Sequence, residues 1–394
     1  MANSFLAEAL DMADEIVAVR RDLHMHPELG FQEVRTARIV AETLGELGYE
    51  VVTGLGKTGV VGLLSGEQPG ERTVLLRFDM DALPIHEEND VPYRSQTPGV
   101  MHACGHDAHV AVGLAAARLL SKHRDKFGGT IKLMFQPAEE TLGGAIAMIK
   151  DGVLEGAKID AAFGLHVSAW HPTGTAVVRA GAMMAASDRL EIAVFGKGGH
   201  AAHPEQAIDS VVVASQLVVA LQTIISRSIA ADDTGVITIG SVRAGEAANV
   251  IADSAHLYGT IRSYSEDVRQ KMHRRINEIA QGIALASGAT IEVKITRGVD
   301  ATVNAEQPTA LVQEIAREVL GAENVDTTWR TTGGEDFSAV LKEVPGNFFF
   351  LGTANAELGS NFSHHHPRFD VDEAGLPYGV AILCEAAVRT LQQA

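Results

Sequence analysis

The run Arg72–Ile85, RTVLLRFDMDALPI, decides the fold. It is rich in Val and Leu and is closed by Pro84, the pattern of a buried strand. Asp79 and Asp81 stand where the apolar run gives out. In an open α/β sheet the strand ends gather at one edge, and ligand sites form there.

The same pattern repeats outward from this run. YEVVTG (49–54) and GVVGLLSG (59–66) read as further strands. DAHVAVGLAAARLLSKHRD (107–125) is a strong helix with Asp107 in its first turn. TIKLMFQPAEE (130–140) is a strand running into a loop at Pro137, and IDAAFGLHV and GTAVVRAG are strands. Helical periodicity marks Leu6–Leu23 and Glu33–Leu47, the second stopped by Gly48. Alternating strands and helices predict an α/β layer around a largely parallel sheet.

From Met184 the order changes. RLEIAVFGKGG is a strand, DSVVVASQLVVALQTIISRS a helix, GVITIGSVRAG and SAHLYGTIRSY strands, SEDVRQKMHRRINEIAQGIALASG a helix and TIEVKITRG a strand. This β-α-β-β-α-β order is ferredoxin-like. After Val299 the first style returns, with a helix at Gln307–Leu320, the strand GNFFFLG and a last helix from Glu373. A chain of 394 residues is too long for one ordinary core. The expected division is 1–183 with 295–394, interrupted by 184–294.

Composition narrows the function. The chain is 46% hydrophobic and 21% charged, with a formal charge of −18. Such a surface repels nucleic acid and anionic membrane, so neither is an expected partner. No run of eighteen apolar residues suggests a transmembrane helix. The N-terminus lacks a secretory signal, and two cysteines cannot build a disulfide framework, so a cytoplasmic location is expected.

One of those cysteines lies in MHACGHDAHV (101–110). Cys104 and His106 are good donors for zinc-like cations. C-x-H is short, and a buried structural cysteine beside surface histidines fits it as well. More donors stand at or just past other apolar runs: Asp79 and Asp81, Glu139 and Glu140 in FQPAEE, His166 in GLHV, and His364, His365 and His366 in SHHHPRFD. Their coincidence at strand ends argues for one site. RRDLHMHPELGFQE carries His24 and His26 near a helix end, read as structural, and Cys384 reads as inert core.

Taken together, RRDLHMHPELGFQE, RFDMDALPI, MHACGHDAHV, FQPAEE, GKGGHAAHP, GGEDFS and HHPRFDVDE resemble the di-metal amidohydrolases related to aminoacylases. The nearest branch contains hippurate hydrolases and hydrolases of indoleacetyl–amino acid conjugates. The resemblance covers nearly the whole chain, in order. It implies a fold class of α/β in two domains: a di-metal catalytic domain with a central mixed sheet, and an inserted ferredoxin-like lid or dimerisation domain.

The resemblance also assigns residues. Cys104 would bridge two divalent metal ions where the wider family uses an aspartate. His106 and His166 would complete one metal site, Glu140 and His365 the other; His365 stands two residues before Pro367. Asp81 would orient a ligand, and Asp79 falls where the wider family has a histidine ligand. Glu139 would be the general base, as a carboxylate beside a cation-activated water should be. His200 would meet the developing oxyanion, often from the partner subunit, and Asn249 and Arg262 would hold the substrate's α-carboxylate. Glu335 and Asp336 are candidates for supporting groups.

The activity implied is hydrolysis of N-acyl amino acids, small-molecule substrates whose acyl group is acetyl, benzoyl or a larger aryl acid. A dipeptidase or carboxypeptidase with the same metals is the alternative. A mixed S/N/O donor set accepts zinc, manganese, cobalt or nickel. A homodimer or higher homo-oligomer is expected through the inserted domain.

Overall fold

A computed structural model describes residues 4–141 and 143–393. The chain forms two compact units. The larger comprises Met1–Met183, Val303–Arg330 and Asp336–Ala394, and the smaller Met184–Thr302 and Thr331–Glu335. The smaller unit thus extends past the expected 184–294. The reason is local: the strand Thr290–Arg297 pairs with Ala186–Phe195 from Thr290↔Phe195 to Arg297↔Asp188, so a boundary at 294 would cut a continuous ladder.

The larger unit is built on an eight-stranded mixed sheet. Its four central strands, Gly128–Gln136, Gln68–Asp79, Ile159–Pro172 and Gly346–Ala354, are parallel in that spatial order. Gly59–Ser65 and Glu50–Leu55 extend one edge antiparallel. The short strands Ala176–Val177 and Val325–Asp326 close the other. The run at 72–85 supplies a central strand, buried from Thr73 to Asp79, which is why its pattern is continuous rather than alternating.

The helices His106–Lys122 and Leu376–Gln392 pack on one another and on Gln68–Asp79. Close approach is possible because Gly113 has no side chain: a Cβ there would lie 2.7 Å from Phe78 and 2.8 Å from Phe135. Cys384 is buried in this layer, as expected. The expected single helix Leu6–Leu23 is two, Ser4–Asp11 and Ala13–Met25. Met12, at φ −93° and ψ 4°, redirects the chain. The first piece can then pack on Leu376–Gln392 and the second on His106–Lys122.

The register places the site. Asp79 pairs with Gln136, and His166 pairs with Phe350. The strand carrying His166 does not end there, as the sequence suggested, but continues to Pro172. Gln68–Asp79 stops pairing with it at Arg77↔Gly164, while Gly346–Ala354 continues on its other side.

The smaller unit is an antiparallel sheet in the order Gly235–Ala244, Ser254–Ser263, Ala186–Phe195, Thr290–Arg297. With the helices Ser210–Ser228 and Glu266–Ser287 the chain order is β-α-β-β-α-β. The Asp209 side chain accepts from the N–H groups of Val211 and Val212, and Ser265 accepts from that of Val268, so each helix is capped. Leu190, Ile192, Leu217, Leu221, Leu257 and Met272 lie in its core.

Two helical segments, Ser210–Ser228 and Glu373–Gln392, have the length and apolar composition of a membrane span, which the sequence reading did not anticipate. Glu373–Gln392 is largely buried inside the larger unit.

Candidate metal centre

Asp81 joins two parts of the site. It lies just beyond Gln68–Asp79 and is buried. Its Oδ1 accepts the Glu139 N–H at 3.0 Å and its Oδ2 the Glu140 N–H at 3.1 Å. Oδ1 also lies 3.2 Å from His106 Nδ1. A carboxylate can only accept, so Nδ1 donates, and in the neutral ring Nε2 holds the lone pair. That Nε2 is buried and makes no hydrogen bond. A carboxylate that orients an imidazole in this way is a common support for a metal ligand.

The loop after Gly128–Gln136 is shaped to present both glutamates. Ala138 has φ 52°, a left-handed conformation that costs energy for a residue with a Cβ. Its N–H donates to Glu33 Oε1 at 2.8 Å, and Glu33 Oε2 accepts from the Thr58 hydroxyl at 2.5 Å. His365 is also left-handed, at φ 65°, with its N–H on the Ala103 carbonyl at 2.8 Å. Gly105, at φ 88°, starts the His106 helix; a Cβ there would collide with Val167 Cγ2.

Cys104 stands at the centre. Cys104, His106 and His166 each offer a donor atom, all within 4.8 Å of one another, and so do Cys104, Glu140 and His365. Cys104 Sγ is 3.4 Å from His166 Nε2, and His365 Nε2 is 3.3 Å from Glu140 Oε1. Sulfur and nitrogen bound to one zinc at about 2.3 and 2.0 Å stand roughly 3.5 Å apart. His166 Nδ1 donates to the Val167 carbonyl at 2.7 Å, which leaves Nε2 as its lone-pair atom beside the sulfur. The residues therefore fit two cations sharing a thiolate.

The electrostatics favour a proton on both Cys104 and His106, which a bound cation would have to displace. Burial, with the carboxylates of Glu140, Glu139 and Asp79, pushes the Cys104 thiol well up. Burial opposes charge on His106, but Asp79 and Asp81 outweigh it and push the ring up to about 10. Burial and the neighbouring His109 and His364 push His166 well down. The cluster is an electronegative pocket in which a divalent cation would relieve the carboxylate repulsion.

Hydrogen-bond accounting separates candidate ligands from their neighbours. Asp79, His106 and His109 also come within ligating distance of one another. However, His109 Nδ1 contacts Asp79 Oδ1, and its Nε2 accepts the Val167 N–H at 2.9 Å. Both ring nitrogens are spent. Asp79 is also tied by Arg77 Nη1 at 2.6 Å. The three histidines of SHHHP divide likewise. His364 Nε2 accepts the Ala169 N–H at 3.2 Å, so its Nδ1–H faces Cys104 Sγ at 3.7 Å as a donor. His366 Nδ1 accepts the Arg368 N–H, and its ring stacks on Phe362. His365 reaches Glu140.

Sequence reasoning missed His109, although its i, i+3 spacing from His106 puts both on one helix face. It also missed Arg77 and Glu33, which reach Asp336 and Ala138 across more than a hundred residues of sequence. Asp336, a candidate supporting group, is tied on both oxygens: Oδ1 accepts from Gln136 Nε2 at 2.6 Å and Oδ2 from the Ala145 N–H at 2.9 Å. His24 is more embedded than a helix-end residue, since Nδ1 meets Asp107 Oδ2 at 2.7 Å and Nε2 meets Glu87 Oε1 at 3.2 Å.

In the smaller unit, His200 is exposed on the short strand Gly199–His200, paired with Val250–Ile251. Its Nδ1 accepts the Ala202 N–H at 3.0 Å, leaving Nε2–H as a donor. Asn249 is exposed, and its carbonyl accepts the Ala201 N–H. Arg262 lies on Ser254–Ser263 with Nη1 on the Thr332 carbonyl at 3.3 Å, beside Gly334.

A family model described as peptidase family M20/M25/M40 matches residues 75–389. Thermostable carboxypeptidase 2 of Saccharolobus solfataricus is 43% identical over 383 residues, 96% of each chain. Hippurate hydrolase of Campylobacter jejuni is 40% identical over 355 residues, 89% of this chain and 91% of that one. A crystal structure of a dinuclear metal-binding peptidase of the M20 family from Bacillus subtilis superposes with a TM-score of 0.85 at 34% identity, covering 98% of this chain and 99% of that one.

Proposed function

The chain belongs to peptidase family M20/M25/M40, and on that premise we propose that it is a metal-dependent amidohydrolase that splits N-acyl amino acids into a carboxylic acid and a free amino acid. The observation that carries this reading is the pair of three-donor groups meeting at Cys104, with Glu139 beside them. His106, His166 and Cys104 would hold one divalent cation, and Cys104, Glu140 and His365 the other. Zinc and manganese suit this donor set, as do cobalt and nickel.

Such cations supply Lewis acidity, lowering the pKa of water and polarising a carbonyl. The chain's own residues do the rest. Asp81 fixes the His106 ring and the backbone of both glutamates. A carboxylate oxygen of Glu139 takes the proton of the attacking water and delivers it to the leaving amide nitrogen. The Nε2–H of His200 suits a developing oxyanion, as a preorganised donor. Arg262 and Asn249 would hold the α-carboxylate, for which a guanidinium fork is well suited. The smaller unit would serve as lid and dimerisation domain. The charge of −18 and the two cysteines support a cytoplasmic enzyme with no nucleic-acid partner.

A second reading, carboxypeptidase action on peptides through the same residues, is favoured by the Saccharolobus relatives. The test is a panel of N-acetyl-, N-benzoyl- and indoleacetyl-amino acids beside dipeptides and blocked peptides, each assayed after chelation and return of one metal. Turnover of the acyl amino acids supports the proposal; turnover of peptides alone replaces it with the second reading.

A further inference from the structure

The chain has only two tryptophans, and both stand in one aromatic wall beside Cys104. The wall begins with His364, whose Nδ1 faces the Cys104 sulfur. From there ring centroids follow in a closed circuit: His364 to Trp170 at 4.7 Å, Trp170 to Trp329 at 5.8 Å, Trp329 to Phe350 at 5.3 Å, Phe350 to His166 at 5.6 Å, and His166 to His364 at 5.1 Å. These are the separations of packed aromatic pairs. His166, Ser168 and Trp170 lie on one side of the strand Ile159–Pro172 by its two-residue repeat. The same strand that presents a candidate metal ligand therefore presents the indole.

Exposure distinguishes this wall from ordinary core. Phe350 is 2% exposed, but Trp170 is 47% exposed, although an indole is costly to leave in water. We propose that Trp170 and Trp329, backed by Phe350, form the subsite for an aryl ring on the acyl group of the substrate, and so set a preference for aroyl over acetyl amino acids. An N-acyl amino acid has an anionic half, which needs a cationic partner, and an uncharged half. An apolar wall of rings suits the uncharged acyl half, and a flat ring stacks on an indole. Continuity with His166 and His364 keeps the wall next to the bond to be cut. This inference rests on the N-acyl amino acid reading above and adds the class of acyl group to it.

Two measurements test it. The first uses the full-length Glu139→Gln protein with metal at a fixed concentration, so that ligand is bound without turnover. Excited at the red edge of protein absorption, which excludes the five tyrosines, its indole emission comes from Trp170 and Trp329 alone. N-benzoylglycine should change that emission saturably, and N-acetylglycine should change it far less. The second compares kcat/KM for the same two compounds. Trp170→Ala should lower the benzoyl-to-acetyl ratio at least about fivefold, and Trp170→Phe, which keeps a ring and the packing, should restore most of it. Equal emission responses to both compounds, or an equal loss on both substrates, would overturn the aryl subsite while leaving the amidohydrolase reading intact. Failure of wild-type protein to cleave either compound would sink that reading, and the emission titration would still decide whether the wall binds the ring.

Discussion

His109 Nε2 accepts the backbone N–H of Val167 at 2.9 Å, so a histidine at the heart of the candidate metal cluster is anchored to the strand beside it. The N–H is available because Gln68–Asp79 stops pairing with that strand at Arg77↔Gly164. The ring bridges the gap, with Asp79 on its other nitrogen. His166 is the next residue back along the strand, so the bridge sets where its Nε2 meets Cys104. His109→Ala should weaken metal retention by about tenfold, as loss of an outer support does. Chelator competition measures this without reference to turnover. Unchanged retention would show that His166 is placed by its own strand alone.

Glu139 and Glu140 share one anchor, Asp81, yet are assigned different work. Glu139→Gln should keep both metals and lose at least about a hundredfold in kcat, the scale of general-base removal. Glu140→Gln should lose metal instead. Metal analysis of the two purified variants separates the roles, and the opposite pattern would exchange them.

Cys104 is expected to be shielded when metal is bound. Thiol alkylation of the native protein should be slow in the holoenzyme and fast after chelation, while Cys384, buried in the helix layer, stays slow in both. Cys104→Ala should lose metal and activity together. Equal alkylation rates at Cys104 with and without metal would remove it from the ligand set.

The dimer proposal gives a ratio. If His200 completes the partner's site, two inactive variants, Glu139→Gln and His200→Ala, should complement when unfolded and refolded together. Random pairing makes half the dimers mixed with one intact site in two, so about a quarter of sites should work. No recovery, in a mixture shown to contain heterodimers, would mean that His200 acts within its own chain or not at all.

Stability in acid should report on Asp188. Burial alone would raise its carboxyl, but Arg269, the Gly298 N–H and His273 outweigh burial and hold it below its usual value. A carboxyl lowered by folding stabilises the native state above its unfolded value, about 3.9, and that contribution is lost as pH falls through the lowered one. Asp188→Asn should therefore melt lower than wild type at pH 7, and the gap should narrow below about pH 4. A thermal-melt series over pH checks this; a constant gap would mean that charge at Asp188 contributes nothing.

The sequence by itself determined most of the elements and named the candidate donors. Short, mostly apolar runs such as TVLLRF closed by a proline read as buried strands, and their acids and histidines fall at or beyond one edge because parallel strands share a direction. The β-α-β-β-α-β order of the smaller unit was equally plain from periodicity. What a linear pattern does not contain is the lone-pair accounting. Among six histidines in MHACGHDAH and SHHHP, only tertiary structure showed that His109 and His364 spend a nitrogen on the backbone of Val167 and Ala169, while His106 keeps a buried Nε2 without a hydrogen bond. The same holds for the left-handed turns at Ala138 and His365 and for the meeting of Trp170 with Trp329. Those depend on partners more than a hundred residues away, and a side chain's free atoms are known only once its neighbours have taken theirs.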